Sequence, residues 1–422
     1  MVSRSAVMDE SSIRREVTIR KYKDVDVERL AELDKRCEMG AAGSESLAFD
    51  LLGDPLCRVR HLPAFHMLVA EVGGEIVGVI RGSVKDVVCS QSALIVKEKA
   101  QIRIPLYARV GYLLGLRVCP LHRRMGIALK LAQSMEEWCR SQNAEYVYMA
   151  TEKDNEASLK LFTGKLDFVH FRTPAIFVQP VHVHDRHISS RIQLTKITPD
   201  QATALYRASM GTAEFFPKDI DAVLRNKLCE GTWIATWKAD DLGESLKNFA
   251  CEGGRGGKVV EKEWARGASW AMLSVWRSND LFQCEYKNAS WLKKTGAALS
   301  RWLDFCLPGC GVPSVPNFFD PFGVQFMFGL HSEGHRGGEL LHSLCWHAHN
   351  LARKNNCKAI MSEVAPSDPA FHSIPHWKKL SSTDDMWCIK SLRSSQFLDN
   401  FDDFDWCQAP PKPVLFVDPR EV

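Results

Sequence analysis

The stretch from Tyr107 to Arg140 constrains this chain most. Tyr107 to Val118 is a long apolar run containing Gly111 and Gly115, which reads as a buried strand with room for a bulge, and Pro120 stops it. From Gly126 the apolar residues Ile127, Leu131, Met135 and Trp138 fall on one stripe, with Lys130, Gln133, Glu136 and Glu137 opposite, so the spacing predicts an amphipathic helix over 126–140. Between strand and helix lies Arg123-Arg124-Met125-Gly126-Ile127-Ala128. The first backbone N–H groups of a helix lack partners within it; Gly126 lets an anion approach them and the small Ala128 leaves space beside the helix. A pyrophosphate suits such a turn. The segment is neither a Gly-x-Gly-x-x-Gly dinucleotide fingerprint nor a phosphate loop ending in Gly-Lys-Ser/Thr. The plain alternative is an ordinary helix start with solvated arginines.

Around this segment the patterns alternate between strand and helix. Val17 to Arg20 reads as a strand and 24–37 as a helix. Phe49 to Leu52 reads as a short helix, and Met67 to Val72 with Ile76 to Val84 as a hairpin about Gly73-Gly74. Residues 86–105 read as a mixed polar insertion. Beyond the helix come a strand at Tyr146 to Thr151, a helix at Asn155 to Thr163 and paired strands over Phe168 to Val178. A second series follows: strand 192–197, helices 199–208 and 220–228, strand 233–237, an exposed loop over 239–266, strand 270–276 and a tryptophan-rich insertion to Pro321. It closes with strand 322–330, a glycine-rich turn at 334–338, helix 340–352 and strand 359–364. An offset of 211 residues lays Gly126 on Gly337 and Glu152 on Glu363, which argues for a duplicated α/β unit. Independent convergence on a common element order is the alternative. The expected division is a polar tail over 1–14, a first domain over 15–179, a linker over 180–190 bearing His182, His184 and His187, and a second domain over 191–422.

Composition narrows the function classes. With 54 Lys and Arg against 51 Asp and Glu the net charge is +3, too small for a dedicated nucleic-acid binder. Hydrophobic residues at 45% and charged residues at 25% match a folded globular chain. The 14 cysteines are scattered singly and read as reduced thiols, and the charged first twenty residues argue against a secretory signal. No apolar run is long enough for a membrane span, so an intracellular protein is expected. His342, Cys345 and His349 share a predicted helix face, but no paired Cys-x-x-Cys completes a structural zinc set, so no metal is expected.

The order Leu114 to Val118, Arg123 to Ala128, amphipathic helix, Tyr146 to Thr151, then Asn155-x-x-Ser158-x-x-Leu161-Phe162 resembles the acetyl-CoA-binding core of the GNAT acetyltransferase superfamily, over residues 15–178. The runs Asp50 to His61, Leu114 to Val118, Thr212 to Asp221, Ile374 to Lys378 and Phe416 to Glu421 are similar to the plant hookless family of probable N-acetyltransferases, over nearly the whole chain. The resemblance implies an α/β fold with a mixed central sheet flanked by helices, in two tandem lobes of which the second is degenerate. It implies that Arg123, Arg124, Gly126 and Ala128 hold the CoA pyrophosphate. It also implies that Leu116, Arg117 and Val118 pair with the pantetheine, and that Asn155 lies near the reactive end. It further implies an amine acceptor, a protein or histone lysine, in a nuclear plant protein that controls differential growth.

In such an enzyme the amine attacks the thioester directly, and an ammonium with pKa about 10.4 must lose a proton near neutral pH. Glu152, at the end of a strand beside the cofactor cleft, is the candidate base; its plain role is a loop carboxylate. Two positions depart from the superfamily pattern: Phe162 stands where many members carry a proton-donating tyrosine, and Asp167 where glycine is usual. Arg58, Arg60 and His61 are expected to form a basic wall of the acceptor groove. Glu339 in the second turn, Gly334-His335-Arg336-Gly337-Gly338-Glu339, would repel a pyrophosphate, leaving that lobe as a surface for a substrate or partner. A non-catalytic regulator that keeps the fold and binds CoA or protein partners is the rival reading.

Overall fold

The computed structural model describes residues 16–39, 46–97, 100–240, 267–306, 314–383, 385–393 and 405–422. The polar tail, nearly all of the loop expected over 239–266, and Cys310 lie outside the described residues. In the first half, β1 (Val17–Lys21) leads to α1 (Val27–Met39), β2 (Ser46–Asp50), β3 (Ala64–Val72), β4 (Glu75–Lys97) and β5 (Ala100–Val118). There follow α2 (Ile127–Ser141), β6 (Tyr146–Glu152), α3 (Glu156–Lys165), β7 (Val169–Arg172) and β8 (Ala175–Pro180). The second half contains β9 (Ile192–Ile197), α4 (Pro199–Met210), α5 (Ile220–Leu224), β10 (Cys229–Trp237), β11 (Trp270–Trp276) and β12 (Gln283–Lys287). It continues with α6 (Trp291–Cys306), β13 (Gly323–Glu333), α7 (Gly337–Lys354), β14 (Cys357–Val364) and β15 (Asp385–Ser391).

Two mixed sheets result, in strand order β1-β3-β4-β5-β6-β15-β7 and β9-β10-β11-β13-β14-β8. They follow one plan, with β5-α2-β6 in the first matched by β13-α7-β14 in the second. They also exchange strands: β8 pairs with β14, while β15 inserts between β6 and β7. The expected paired strands of 168–178 are therefore not partners. Pro174 follows β7, and the chain crosses there into the other sheet. A fragment beginning at residue 190 would lack β8.

Helix α2 covers one face of the first sheet because Gly78 and Gly82 on β4 leave space for Leu131 and Met135, both fully buried. Burying such a side chain stabilises by roughly 1.5–3 kcal/mol. Glu136, expected on the polar face, is buried, and Lys390 of β15 reaches it at 2.8 Å. The opposite face carries Tyr112, Tyr146, Tyr148 and Trp387 and shares one core with Tyr206, Phe326, Phe328 and Phe416 of the second half. Helix α7 covers the far face of the second sheet through Leu340, Leu344 and Ala348.

Other expectations change. Residues 49–52 do not form a helix: Ser46 to Asp50 is a strand paired with β12 across more than 230 positions of sequence, a partnership that local periodicity cannot report. The polar insertion of 86–105 is mostly a long two-stranded ribbon, because β4 and β5 stay paired out to Lys97 and Ala100. In the expected linker His182 is buried, not solvated, and its backbone N–H donates to His349 Nε2 at 2.9 Å.

Candidate functional site

Strands β5 and β6 pair in parallel only where Val110 to Leu113 face Tyr146 to Met149. Both run on, β5 to Val118 and β6 to Glu152, so they part beyond Leu113 and open a cleft. On its other edge β5 keeps its bonds to β4, with Val118 opposite Gly78 and Arg117 opposite Val79, and the register shifts between Val79 and Arg81. Gly115 absorbs that shift with φ 62°, a left-handed conformation that costs glycine little. Leu116, Arg117 and Val118 thus offer the cleft a backbone edge free of strand pairing. Arg117 turns its side chain to Asp34 of α1, at 2.6 Å.

At the mouth of the cleft α2 begins. Gly126 is its N-cap with φ 78°, no side chain caps it, and a Cβ at Gly126 would meet nothing within 4 Å. The first-turn N–H groups therefore face open space beside the exposed Arg123 and Arg124, with Ala128 half-buried behind them. Uncapped donors, positive helix end, open approach and flanking cations together fit a pyrophosphate.

The second lobe repeats the parting, but its turn is altered and the crevice between its strands is filled. β13 and β14 pair in parallel from Gly323 to Phe326 only, and Gly329 matches Gly115 with φ 62°. At the start of α7, Arg336 is clamped by Glu339 at 2.7 and 2.8 Å, and a Cβ at Gly338 would lie 2.7 Å from Ser373 Oγ. The crevice between the parted strands is packed by Leu415, Phe416 and Val417, leaving about 10 Å³.

Glu152 and Asn155 lie together at the end of β6, where the Asn155 N–H donates to the Glu152 carbonyl at 3.1 Å. Glu152 is exposed at the last position of β6, directly opposite Asp385. Asn155 caps α3, its Oδ1 accepting from the Ser158 N–H at 3.2 Å. Phe162 is buried edge-on to Phe168, and Asp167 takes the left-handed conformation itself, φ 59°. Arg60 and His61 border one recess together with Asp54 and Lys227, whereas Arg58 does not line it. Arg58 reaches the Glu421 carbonyl at 3.3 Å and Arg60 pairs with Asp54, while His61 meets Asn226 and the edge of Trp276. Successive residues of the turn at 55–61 point in different directions, which sets Arg58 apart from the other two.

On α7, His342 bonds Ser373 and Trp346, and His349 takes the His182 N–H. Among the described residues no three His, Cys, Asp or Glu side chains gather as metal ligands.

Sequence reasoning missed the carboxylates between the lobes. Trp387 donates its indole N–H to Glu363 Oε1 at 3.1 Å and lies 3.2 Å from Asp385 Oδ2. Burial, then the charge of Asp385, pushes Glu363 up to about 8; burial pushes Asp385 up to about 6. The 211-residue offset marked Glu363 as the counterpart of Glu152, but nothing local marked Asp385. Arg81 was missed too, a single cation within an apolar strand.

The Acetyltransferase (GNAT) family profile matches residues 27–168. Over 404 residues the chain is 46% identical to "Probable N-acetyltransferase HLS1" of Arabidopsis thaliana, spanning 94% of this chain and 97% of that protein. The chain belongs to the hookless family of probable N-acetyltransferases. This hookless protein is also 36% identical over 460 residues to "Acetyl transferase GW6a" of Oryza sativa subsp. japonica, covering 98% of this chain and 100% of the relative. Saccharomyces cerevisiae N-myristoyltransferase with bound myristoyl-CoA shares the fold at a TM-score of 0.50 and 8% identity, over 90% of this chain and 79% of that one. The hookless chain is thus an N-acetyltransferase of GNAT fold, α/β, with two lobes of which the second has a filled cleft.

Proposed function

We propose that the first lobe binds acetyl-CoA in the cleft between β5 and β6 and passes the acetyl group directly to an amine held in the same complex. The observation that carries this is the uncapped start of α2 at the mouth of two parted strands. Arg123, Arg124, Gly126 and Ala128 would hold the pyrophosphate, Leu116 to Val118 the pantetheine, and Asn155 would stand near its reactive end. Glu152 is the base of this reading, at the cleft rim and open to water. A thiol is acidic enough to depart as thiolate, so the hydroxyl that Phe162 lacks is not required.

For the acceptor we take a protein amine, with histone lysine as one case, and we assign Arg58, Arg60 and His61 to its approach. The second lobe serves as a partner surface. The hookless resemblance supports work in the nucleus in the control of differential growth, and a charge of +3 speaks against direct nucleic-acid binding. Calorimetric titration of the full chain with acetyl-CoA, beside Gly126→Glu, tests the site. Saturable binding that the variant abolishes, with its thermal melt intact, is expected; equal binding by both would misplace the cradle. The buried phenyl of Phe162 favours a second reading, a CoA-binding regulator without turnover. Acetyl transfer to poly-L-lysine or histones above the spontaneous rate would exclude it.

A further inference from the structure

Arg81 lies on β4 where β5 leaves β6. Its cross-strand partner is Leu114, and Ser83 and Lys85 follow it on the same face, away from α2, because Gly82 lies under Met135 on the other. Only 6% of Arg81 is exposed. Its Nε donates to the Pro55 carbonyl at 2.6 Å, and among the described residues no carboxylate forms an ion pair with it. Asp34, the carboxylate that bears on it most, is bonded to Arg117, and Arg58 adds a second cation nearby. Ser83 Oγ, next along the face, is also buried without a hydrogen-bond partner.

A guanidinium removed from water without an anion costs several kcal/mol. Packing alone does not account for it, since a methionine of similar length would fill the place without that cost. The placement gives it a use. A Cβ on Gly115 would lie 2.7 Å from Arg81 Nη1, so the guanidinium rests against the bulge of β5. On the functional reading above, on which this inference rests, the cofactor runs backwards along β5: pyrophosphate at 123–128, pantetheine at 116–118, and hence the acyl group beside Leu114 and Gly115.

We propose that Arg81 is a catalytic residue that binds the negatively charged oxygen formed at the acyl carbon during transfer. The amine nitrogen adds its lone pair to the carbonyl carbon, and the C=O pair moves onto oxygen, next to the guanidinium. Collapse restores C=O and breaks C–S; the thiolate departs with the bonding pair, and the proton left on nitrogen passes to the base. Charge that exists only in the transition state is where a preorganised donor accelerates a reaction.

S-carboxymethyl-CoA tests this without an identified acceptor, since a methylene replaces the carbonyl carbon on sulfur and sets a permanent carboxylate one bond further on, within reach of the same guanidinium. The full chain, Arg81→Met and Arg81→Lys are titrated calorimetrically with CoA, acetyl-CoA and S-carboxymethyl-CoA. The wild type should bind S-carboxymethyl-CoA at least tenfold more tightly than acetyl-CoA. Arg81→Met should bind CoA and acetyl-CoA within twofold of wild type and lose the preference, and Arg81→Lys should keep part of it. Equal affinities in the wild type, or a preference that survives in Arg81→Met, overturn the assignment while the cofactor site stands. If Arg81→Met does not fold, the wild-type ranking and the lysine variant decide. Binding of none of the three ligands removes the functional reading and this proposal with it.

Discussion

Trp387, on a strand of the first sheet, donates its indole N–H to Glu363 of the second sheet at 3.1 Å. The bond joins the two lobes at the level where β6 has already parted from β5, since Trp387 lies opposite Ala150.

Stability should fall as pH rises across this contact. The folded protein holds the Glu363 proton up to about 8, whereas the unfolded chain releases it near 4.5. Between those values the folded state binds more protons, so raising pH favours unfolding, by at most about 1.4 kcal/mol per pH unit for one group. Asp385, pushed up to about 6, adds to the lower part of the window. Glu363→Gln should flatten the profile of urea midpoints between pH 6 and 8. A profile as steep as wild type would assign the slope elsewhere.

Lys85 carries a buried network, with Glu421 at 2.7 Å and Asp418 at 3.2 Å. Arg420 clamps Asp418 and Asp219, both at 2.7 Å, and Tyr148 donates to Glu421 at 2.7 Å. Removing the lysine leaves Glu421 buried with only the Tyr148 hydroxyl, while Asp418 keeps Arg420. Lys85→Met should therefore cost about 3–5 kcal/mol, read as a lowered urea midpoint with unchanged slope.

Gly126→Ala separates backbone strain from ligand crowding. A Cβ there touches no protein atom but must sit at φ 78°, which costs an alanine about 1–2 kcal/mol. A modest drop in melting temperature with a larger loss of acetyl-CoA affinity is expected from scanning calorimetry and titration. A stability loss alone would mean that no ligand approaches this turn.

Charge is not all that distinguishes the second turn. Glu339→Ala frees Arg336, yet Ser373 still stands against Gly338 and Phe416 still fills the crevice. In the Gly126→Glu background, Glu339→Ala should restore no acetyl-CoA binding; measurable heat of binding would show that charge alone had silenced this lobe.

The run from Tyr107 to Glu152 was legible because its order rests on local signals: apolar periodicity, a proline stop and a glycine at a helix start. The Gly73-Gly74 hairpin was legible for the same reason. The placement of β15 was not, since nothing in Asp385 to Ser391 says that its neighbours lie at 146–152 and 169–172. β2 shows the same limit, as its partner is β12. Within the site the backbone features were readable and the side-chain destinations were not. Arg58 parts from Arg60 and His61 because Glu421 reaches it from the far end of the chain, and Asn226 reaches His61 from the second half.

The exchange of β8 and β15 sets an order of events during synthesis. At roughly 5–20 residues per second, the outer edge of β6 waits on the order of ten to fifty seconds before β15 leaves the ribosome. During that interval a row of unsatisfied backbone groups lies open on a nascent first sheet, a template for wrong pairing with any neighbouring strand. Neither sheet can close early: the second waits for β14 to receive β8 and the first for β15, so yield in a cell should depend on chaperones that shield those edges until then.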